Sequence, residues 1–392
     1  KSITPGFLLA AILWPRLIER CSFDNGINVR KFFRSMDSII AEQQRITAIP
    51  RKFSSYIKDI WYLQLKLNDR LKNNPNKIIK HPRFRAGYDF LLIREKASKD
   101  KSDLVVFGES LVPGYPFWLA LTEGAKWDLK INKELHSHYL KNSVDIENGD
   151  LDEICVIAKK LKIAVYLGVV ERASDRGGHS LYCSLVYINK SGKICSNHRK
   201  LQPTYDERLT WAQGDGNGLK VHDLNGFKVG GLNCWENWMP LPRTALYGQG
   251  ENLHIAVWPG SDHNTKDITR YIARESRSFV VSVSCLMKKS NFPANTPYIE
   301  EILKNSPDIL ANGGSGIAGP DGEWIIEPII GKEGVFSCEL NLNRVFEERQ
   351  NFDPVGHYSR PDVTQLIVNN DRQTSVKLVS KKNSKNLSIF LL

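Results

Sequence analysis

The sequence predicts an α/β layered domain behind a basic all-α module, and three observations carry that reading. From residue 102 onward, short apolar strands alternate with amphipathic stretches, the pattern of a layered α/β domain. Before it, apolar residues recur at three- and four-residue steps, the period of helices. The charge divides at the same place. Residues 1–102 hold 21 Lys and Arg against 9 Asp and Glu, about +12, while the remainder is about −1, in a 392-residue chain of net charge +11. Three parts are therefore expected: a helical module over 1–97, an α/β domain over 102–365 and a C-terminal tail over 366–392.

In the helical module, Phe33, Met36, Ile39 and Ile40 mark one apolar face, and Ile57, Ile60, Trp61, Leu63 and Leu65 another. Pro50 separates the two, and Asn73-Asn74-Pro75-Asn76 makes a polar loop. The apolar run Phe7 to Trp14 is too short for a bilayer and reads as one face of a helix. Nothing approaches 18 consecutive apolar residues, so a soluble, cytoplasmic protein with no membrane contact is expected. A basic module attracts polyanions, nucleic acid first. Arg51, Lys52, Arg83 and Arg85 are the candidate RNA contacts, with Phe84 and Tyr88 as stacking surfaces. The plainer reading makes those aromatics core and those charges a solvated face.

In the second part, strands are expected at 104–107, 163–168, 181–187, 229–232, 255–258 and 279–283, with helices over 151–161 and 267–276. The seven cysteines are odd in number and include no Cys-x-x-Cys pair, so neither a disulfide framework nor a zinc site is expected. Asn312-Gly313-Gly314-Ser315-Gly316 lacks the Gly-Lys-Ser/Thr of a phosphate loop and reads as a turn between strands. Ser261-Asp262-His263 reads as a loop, since adjacent residues cannot all face one another. His254 and His263 lack metal-ligand spacing, and no metal is assigned.

Cys234 differs through its neighbours. Val229-Gly230-Gly231-Leu232-Asn233 reads as a strand end, and a Cys where a strand gives way to a turn can expose its sulfur above the sheet. The run Cys234-Trp235-Glu236-Asn237 resembles the nucleophile segment of the nitrilase superfamily, the thiol hydrolases of carbon–nitrogen bonds. Two further spots match that family in chain order: Glu109 in Phe107-Gly108-Glu109-Ser110, and Lys200 in His198-Arg199-Lys200-Leu201-Gln202-Pro203-Thr204. So do Gly114-Tyr115-Pro116, Asp206-Glu207-Arg208, Trp211, Gly214-Asp215-Gly216 and Gly356-His357-Tyr358-Ser359-Arg360-Pro361-Asp362. Cys-Trp-Glu-Asn and the last of these runs look like the nitrilase and cyanide-hydrolase branch.

The resemblance implies a four-layer αββα sandwich and a Glu–Lys–Cys triad. Cys234 would attack, Glu109 would take the thiol proton and later activate water, and Lys200 would stabilise the tetrahedral intermediate. Glu207 resembles the family's second glutamate, which orients Lys200. Such chemistry needs a soft nucleophile, a base and a cation, and no metal or organic cofactor. A nearby Lys is expected to lower the thiol pKa, and burial to raise that of the Glu. Trp118, Trp235 and Trp258 are candidates for an apolar substrate wall. Glu236 is left between a supporting and a purely structural role. The implied substrate is a small nitrile, with an amide as the alternative, and the implied assembly is a homo-oligomer.

Leu9 to Pro15, Ala48 to Phe53, Asp59 to Leu65 and His81 to Leu92 resemble the helical C-terminal region of bacterial poly(A) polymerase, which helps to hold RNA. The polymerase head with its paired Asp residues has no counterpart. A third reading therefore treats the chain as an RNA-binding fragment with an inert hydrolase half. Between Leu91-Leu92-Ile93 and Asp103 there is too little chain for the first strand and helix of a nitrilase. That predicts an exposed sheet edge, with Leu91 to Ile93 a weak substitute. Cys183 stands where the family commonly shows Asn after Tyr.

Overall fold

Residues 5–21, 29–46, 51–68, 102–293 and 295–376 are described by a computed structural model. Three helices open it: α1 (Pro5–Cys21), α2 (Val29–Ile46) and α3 (Arg51–Asn68). Their expected apolar faces close on one another, with Met36, Ile39, Ile40, Ile57, Ile60 and Trp61 in one core. The helical step favoured Phe33, but the buried residue is Phe32. Phe33 lies at the rim with its ring edge-on to Phe32. Trp61 is fully buried and donates its indole N–H to the Ala10 carbonyl at 2.7 Å, so its large apolar area is gained without an orphaned polar group.

The second part opens with β1 (Leu104–Val106), α4 (Trp118–Leu121), α5 (Lys130–Asn142) and α6 (Asp152–Leu161). Strands β2 (Ala164–Arg172), β3 (Leu181–Ile188) and β4 (Ile194–Arg199) join β1 in a mixed sheet of order β1-β2-β3-β4. Next come β5 (His222–Leu224), β6 (Phe227–Asn233), α7 (Pro240–Tyr247), β7 (Leu253–Trp258), α8 (Lys266–Ser276), β8 (Phe279–Ser284) and β9 (Leu286–Lys288). The last elements are α9 (Ile299–Asn305), β10 (Ile309–Ala318), β11 (Trp324–Ile330) and α10 (Asn343–Arg349). The second sheet runs β11-β10-β8-β7-β6-β5 and is also mixed, with β9 beside β10.

Strand alternation decides how the sheets stack. Tyr166, Leu185 and Tyr187 of the first sheet meet Val229, Ile255, Val257 and Phe279 of the second in one core. The intervening residues face outward: Val165, Leu167 and Val186 pack with Ala158 of α6, and Ala256 and Val280 pack with Ile268 and Ile272 of α8. A period of two thus places one face of each sheet against its partner and the other under a helix. The acidic first turn (Asp152, Glu153) and basic last turn (Lys159, Lys160) of α6 suit its dipole. Two of these residues also meet α1, through Lys160–Glu19 at 2.5 Å and Arg16–Glu153 at 3.8 Å.

The Gly313–Gly316 run is not a turn. It lies inside β10, between β8 and β11. Gly313 and Gly314 have φ of +92° and +103°, so glycine here permits an irregular strand with register shifts. Among the described residues β1 lies at the edge of the first sheet, and residues 91–93 lie outside them. Residues 369–375 lie along the 214–217 loop. Arg372 donates to Asp215 and to the Asn197 carbonyl, and Asn217 donates to the Asn370 carbonyl. Among the described residues, no helix is long and apolar enough to cross a membrane.

Gly168 of β2 lies directly beneath the chain that leaves β1. A Cβ there would collide with the Gly108 carbonyl oxygen and stand 2.8 Å from Glu109 Cα and Ser110 N. Gly168→Ala is expected to cost about 1–3 kcal/mol by overpacking, read as a lower urea midpoint, and to displace Glu109 with it.

Candidate active site

Three strand ends converge at one edge of the sheet pair. β1 continues through Phe107, whose N–H donates to the Tyr166 carbonyl at 2.9 Å, and delivers Glu109. β4 ends at Arg199 and delivers Lys200, whose backbone N–H donates to the Cys183 carbonyl at 2.8 Å. β6 ends at Asn233 and delivers Cys234, which opens a 3-10 turn to Trp238. Cys234 has φ of +48°, a left-handed conformation that costs a non-glycine residue about 1–3 kcal/mol. Such strain at the first residue of a sharp turn lifts the side chain clear of the strand. Glu207 comes from a short 3-10 turn that Thr204 caps, and the Thr204 N–H donates to its carboxylate at 2.6 Å.

The four side chains meet in the interior. Lys200 Nζ lies 2.9 Å from Glu109 Oε1 and 2.7 Å from Glu207 Oε2. Ligand-type atoms of Glu109, Glu207 and Cys234 all lie within 4.8 Å of one another. Glu109 and Lys200 have no solvent exposure, and Glu207 and Cys234 almost none. The Tyr115 hydroxyl donates to Glu207 Oε1 at 2.9 Å, and Lys200 Nζ lies 5.6 Å from the centre of the Trp211 ring. Three oxygen and sulfur atoms so disposed have the form of a cation site, and the Lys200 ammonium already supplies the positive charge.

Burial sets the electrostatics. It pushes the Glu109 carboxyl up to about 7, with Lys200 pulling it down and the Glu207 charge adding to the rise. Burial works against the Lys200 charge, but Glu109, Cys234 and Glu207 outweigh it and hold the ammonium well above its ordinary range. The expected lowering of the Cys234 thiol does not survive. Burial raises it more than Lys200 lowers it, and both carboxylates add to the rise. The resting sulfur is therefore a thiol beside a carboxylate that titrates near neutrality, and it needs that carboxylate to lose its proton.

A cavity of about 190 Å³ opens onto Cys234 and Glu207, walled by Tyr115, Phe117, Trp235 and Trp258 among others. Trp258 is buried, and its indole N–H donates to Ser282. Trp235 is nearly half exposed and stacks on Trp238. Trp118 does not reach the cavity. It packs with Leu119, Leu135 and Ile302 in a separate core, because the short α4 turns its neighbour Phe117 toward the cleft instead. Residue type alone does not mark Tyr115 and Phe117 as lining residues. Their signal was position, six and eight residues past Glu109. Arg51 and Lys52 begin α3, while Arg83, Arg85, Phe84 and Tyr88 lie outside the described residues.

The model of the carbon-nitrogen hydrolase family matches residues 56–350. The chain belongs to the carbon–nitrogen hydrolase family. Nitrilase 2 of Arabidopsis thaliana is 34% identical over 292 residues, 74% of this chain and 85% of that protein. The aliphatic nitrilase of Rhodococcus rhodochrous is 31% identical over 301 residues, 73% and 75% of the two chains. The crystal structure of a carbon-nitrogen hydrolase from Helicobacter pylori G27 shares the fold, with a TM-score of 0.51 at 19% identity over 70% of this chain and 89% of that one.

In this carbon–nitrogen hydrolase, Glu236 ties the lysine and cysteine segments together. Its fully buried carboxylate accepts from Leu201 N–H at 2.6 Å, from Asn233 N–H at 2.9 Å and from His198 Nε2 at 3.1 Å. Burial alone would raise this carboxyl, but His198 and the two backbone donors hold it below its ordinary value. Asn237 works from the other side. It donates to the Leu232 and Cys234 carbonyls, while its own oxygen meets the ring of His254, which also contacts Glu251. Glu236→Gln would set an amide N–H against a backbone N–H. It is expected to lose about 1–3 kcal/mol in denaturant unfolding and to lower turnover as Lys200 and Cys234 shift apart.

Proposed function

We propose that this hydrolase converts a small nitrile to a carboxylic acid and ammonia, from within a four-layer αββα sandwich. The observation that carries the reading is the Lys200 ammonium clamped at 2.9 and 2.7 Å by Glu109 and Glu207 beside the Cys234 thiol. The nitrilase names of its relatives at 31–34% identity support a nitrile over an amide.

In this reading Glu109 removes the thiol proton as the sulfur of Cys234 attacks the nitrile carbon. One C–N π pair moves to nitrogen, which takes the proton back from Glu109 to give a thioimidate. Water then adds, with its proton passing to Glu109, and Lys200 stabilises the tetrahedral centre. The tetrahedral hydroxyl gives up its proton as the C–N bond breaks, nitrogen leaves as ammonia carrying that proton and the one returned by Glu109, and a thioester remains. A second water breaks the C–S bond, releases the acid and restores the thiol. Glu207 keeps Lys200 in place, itself held by Tyr115 and the Thr204 N–H. A dry apolar cavity of about 150 Å³ holds a benzene ring, so about 190 Å³ suits a nitrile with one ring or a short aliphatic chain.

Ammonia release from a panel of aliphatic and aromatic nitriles, with the matching amides alongside, tests the proposal. Turnover of amides alone would overturn it in favour of an amidase. Cys234→Ala is expected to lower release by about a thousandfold or more with little change in the unfolding midpoint. A second expectation concerns pH. Glu109 accepts a proton only when ionised, and its carboxyl is raised to about 7. The rate constant kcat/KM should therefore fall as pH drops through neutrality, seen in a pH–rate profile; a flat profile down to pH 5 would contradict it.

A further inference from the structure

We propose that Cys183 is a positioning residue for Glu109, holding one carboxylate oxygen so that the other is left to exchange protons with Cys234. The inference rests on the hydrolytic reading above and names a residue that the reaction scheme does not use. Cys183 lies near the start of β3 with no solvent exposure. Its Sγ stands 3.3 Å from Glu109 Oε1, the oxygen that also accepts from Lys200 Nζ at 2.9 Å. Glu109 Oε2 is buried and has no hydrogen-bond partner among the described residues. Two donors thus crowd one oxygen and none the other. A carboxylate held in this way cannot rotate about its terminal bond without breaking both bonds, so the unengaged oxygen keeps its direction.

The residue type matters. Burial first, and then the Glu109 charge, hold the Cys183 thiol well above its ordinary range, so it stays S–H and donates. A thiol is a weak donor. It fixes the carboxylate while leaving it basic enough to take a proton near neutrality, whereas a stronger donor would stabilise the anion and weaken the base. The same residue's carbonyl accepts the Lys200 backbone N–H, so Cys183 touches the base through its side chain and the lysine segment through its backbone. The other groups that face Glu109 are Lys200, Glu207 and Cys234 in the cluster, and Tyr115, Tyr139 and Cys285 around it. Cys183 and Lys200 are the two that hydrogen-bond it among the described residues.

Cys183→Ala and Cys183→Ser decide the matter in the full chain. Two pH profiles are recorded for each protein: kcat/KM for ammonia release, and the rate of iodoacetamide labelling at Cys234 read by peptide mass. Alanine should move the acid limb up by roughly half a pH unit, since it removes a bond to the anion, and serine should move it down by a similar amount. Turnover should fall severalfold in the alanine variant and only partly recover in the serine variant, whose stronger donor holds the carboxylate but weakens the base. A merely structural role would change yield or unfolding midpoint without ordering the limbs alanine, cysteine, serine. Acid limbs that coincide in all three proteins would overturn the proposal. If the alanine variant does not fold, the downward shift in the serine variant decides alone. Labelling needs no substrate, so a wild-type protein that releases no ammonia refutes the hydrolytic reading and leaves the labelling order to judge Cys183.

Discussion

The arrangement depends on one ammonium group with no access to water. Removing a lysine charge from solvent costs several kcal/mol, recovered only by close and well-directed partners. Lys200 has two, at 2.9 and 2.7 Å, and each comes from a different part of the chain. Glu109 leaves β1 in the first sheet, and Glu207 rises from a capped turn beyond β4. The sheet cannot shift at β1, nor the turn uncap at Thr204, without leaving a buried charge short of a partner. Folding and the chemistry of the site are therefore one constraint seen twice.

Cys234 is joined to that charge by a third buried carboxylate. Glu236 collects backbone donors on both sides of the gap, at Leu201 beside Lys200 and at Asn233 beside Cys234. Asn237 and His254 brace the turn from the second sheet. The strained φ of Cys234 is sustained because its neighbours are fixed by these bonds. Such over-determination distinguishes a positioned thiol from Cys21, which packs in the helical core as a small apolar side chain.

Much of this was legible in the residues. The central strands are apolar runs bounded by turn residues, and their alternation dictates the two-faced packing. Cys234, Lys200 and Glu109 stand out because each ends a strand within a recognisable run. The illegible parts have physical causes. β4, β5 and β9 are short or polar, and β10 is glycine-rich, so none carries an apolar run. Trp118 and Phe117 cannot be told apart by type, since the rotation of one short helical turn decides which faces the cleft. The direction of the Cys234 shift was also hidden, because burial depth is a tertiary property and here it outweighs the neighbouring charge.

The docking of residues 369–375 gives a segment remote in sequence leverage over the site. Arg372 and Gln373 grip Asp215, and the adjacent Gly214 N–H donates to the Lys200 carbonyl at 2.8 Å. Only that short relay separates the tail from the peptide that carries the ammonium. A substitution at Arg372, or a protease nick just upstream, would thus act as a remote perturbation of the site. The carboxy-terminal strap is better regarded as a working component than as packaging.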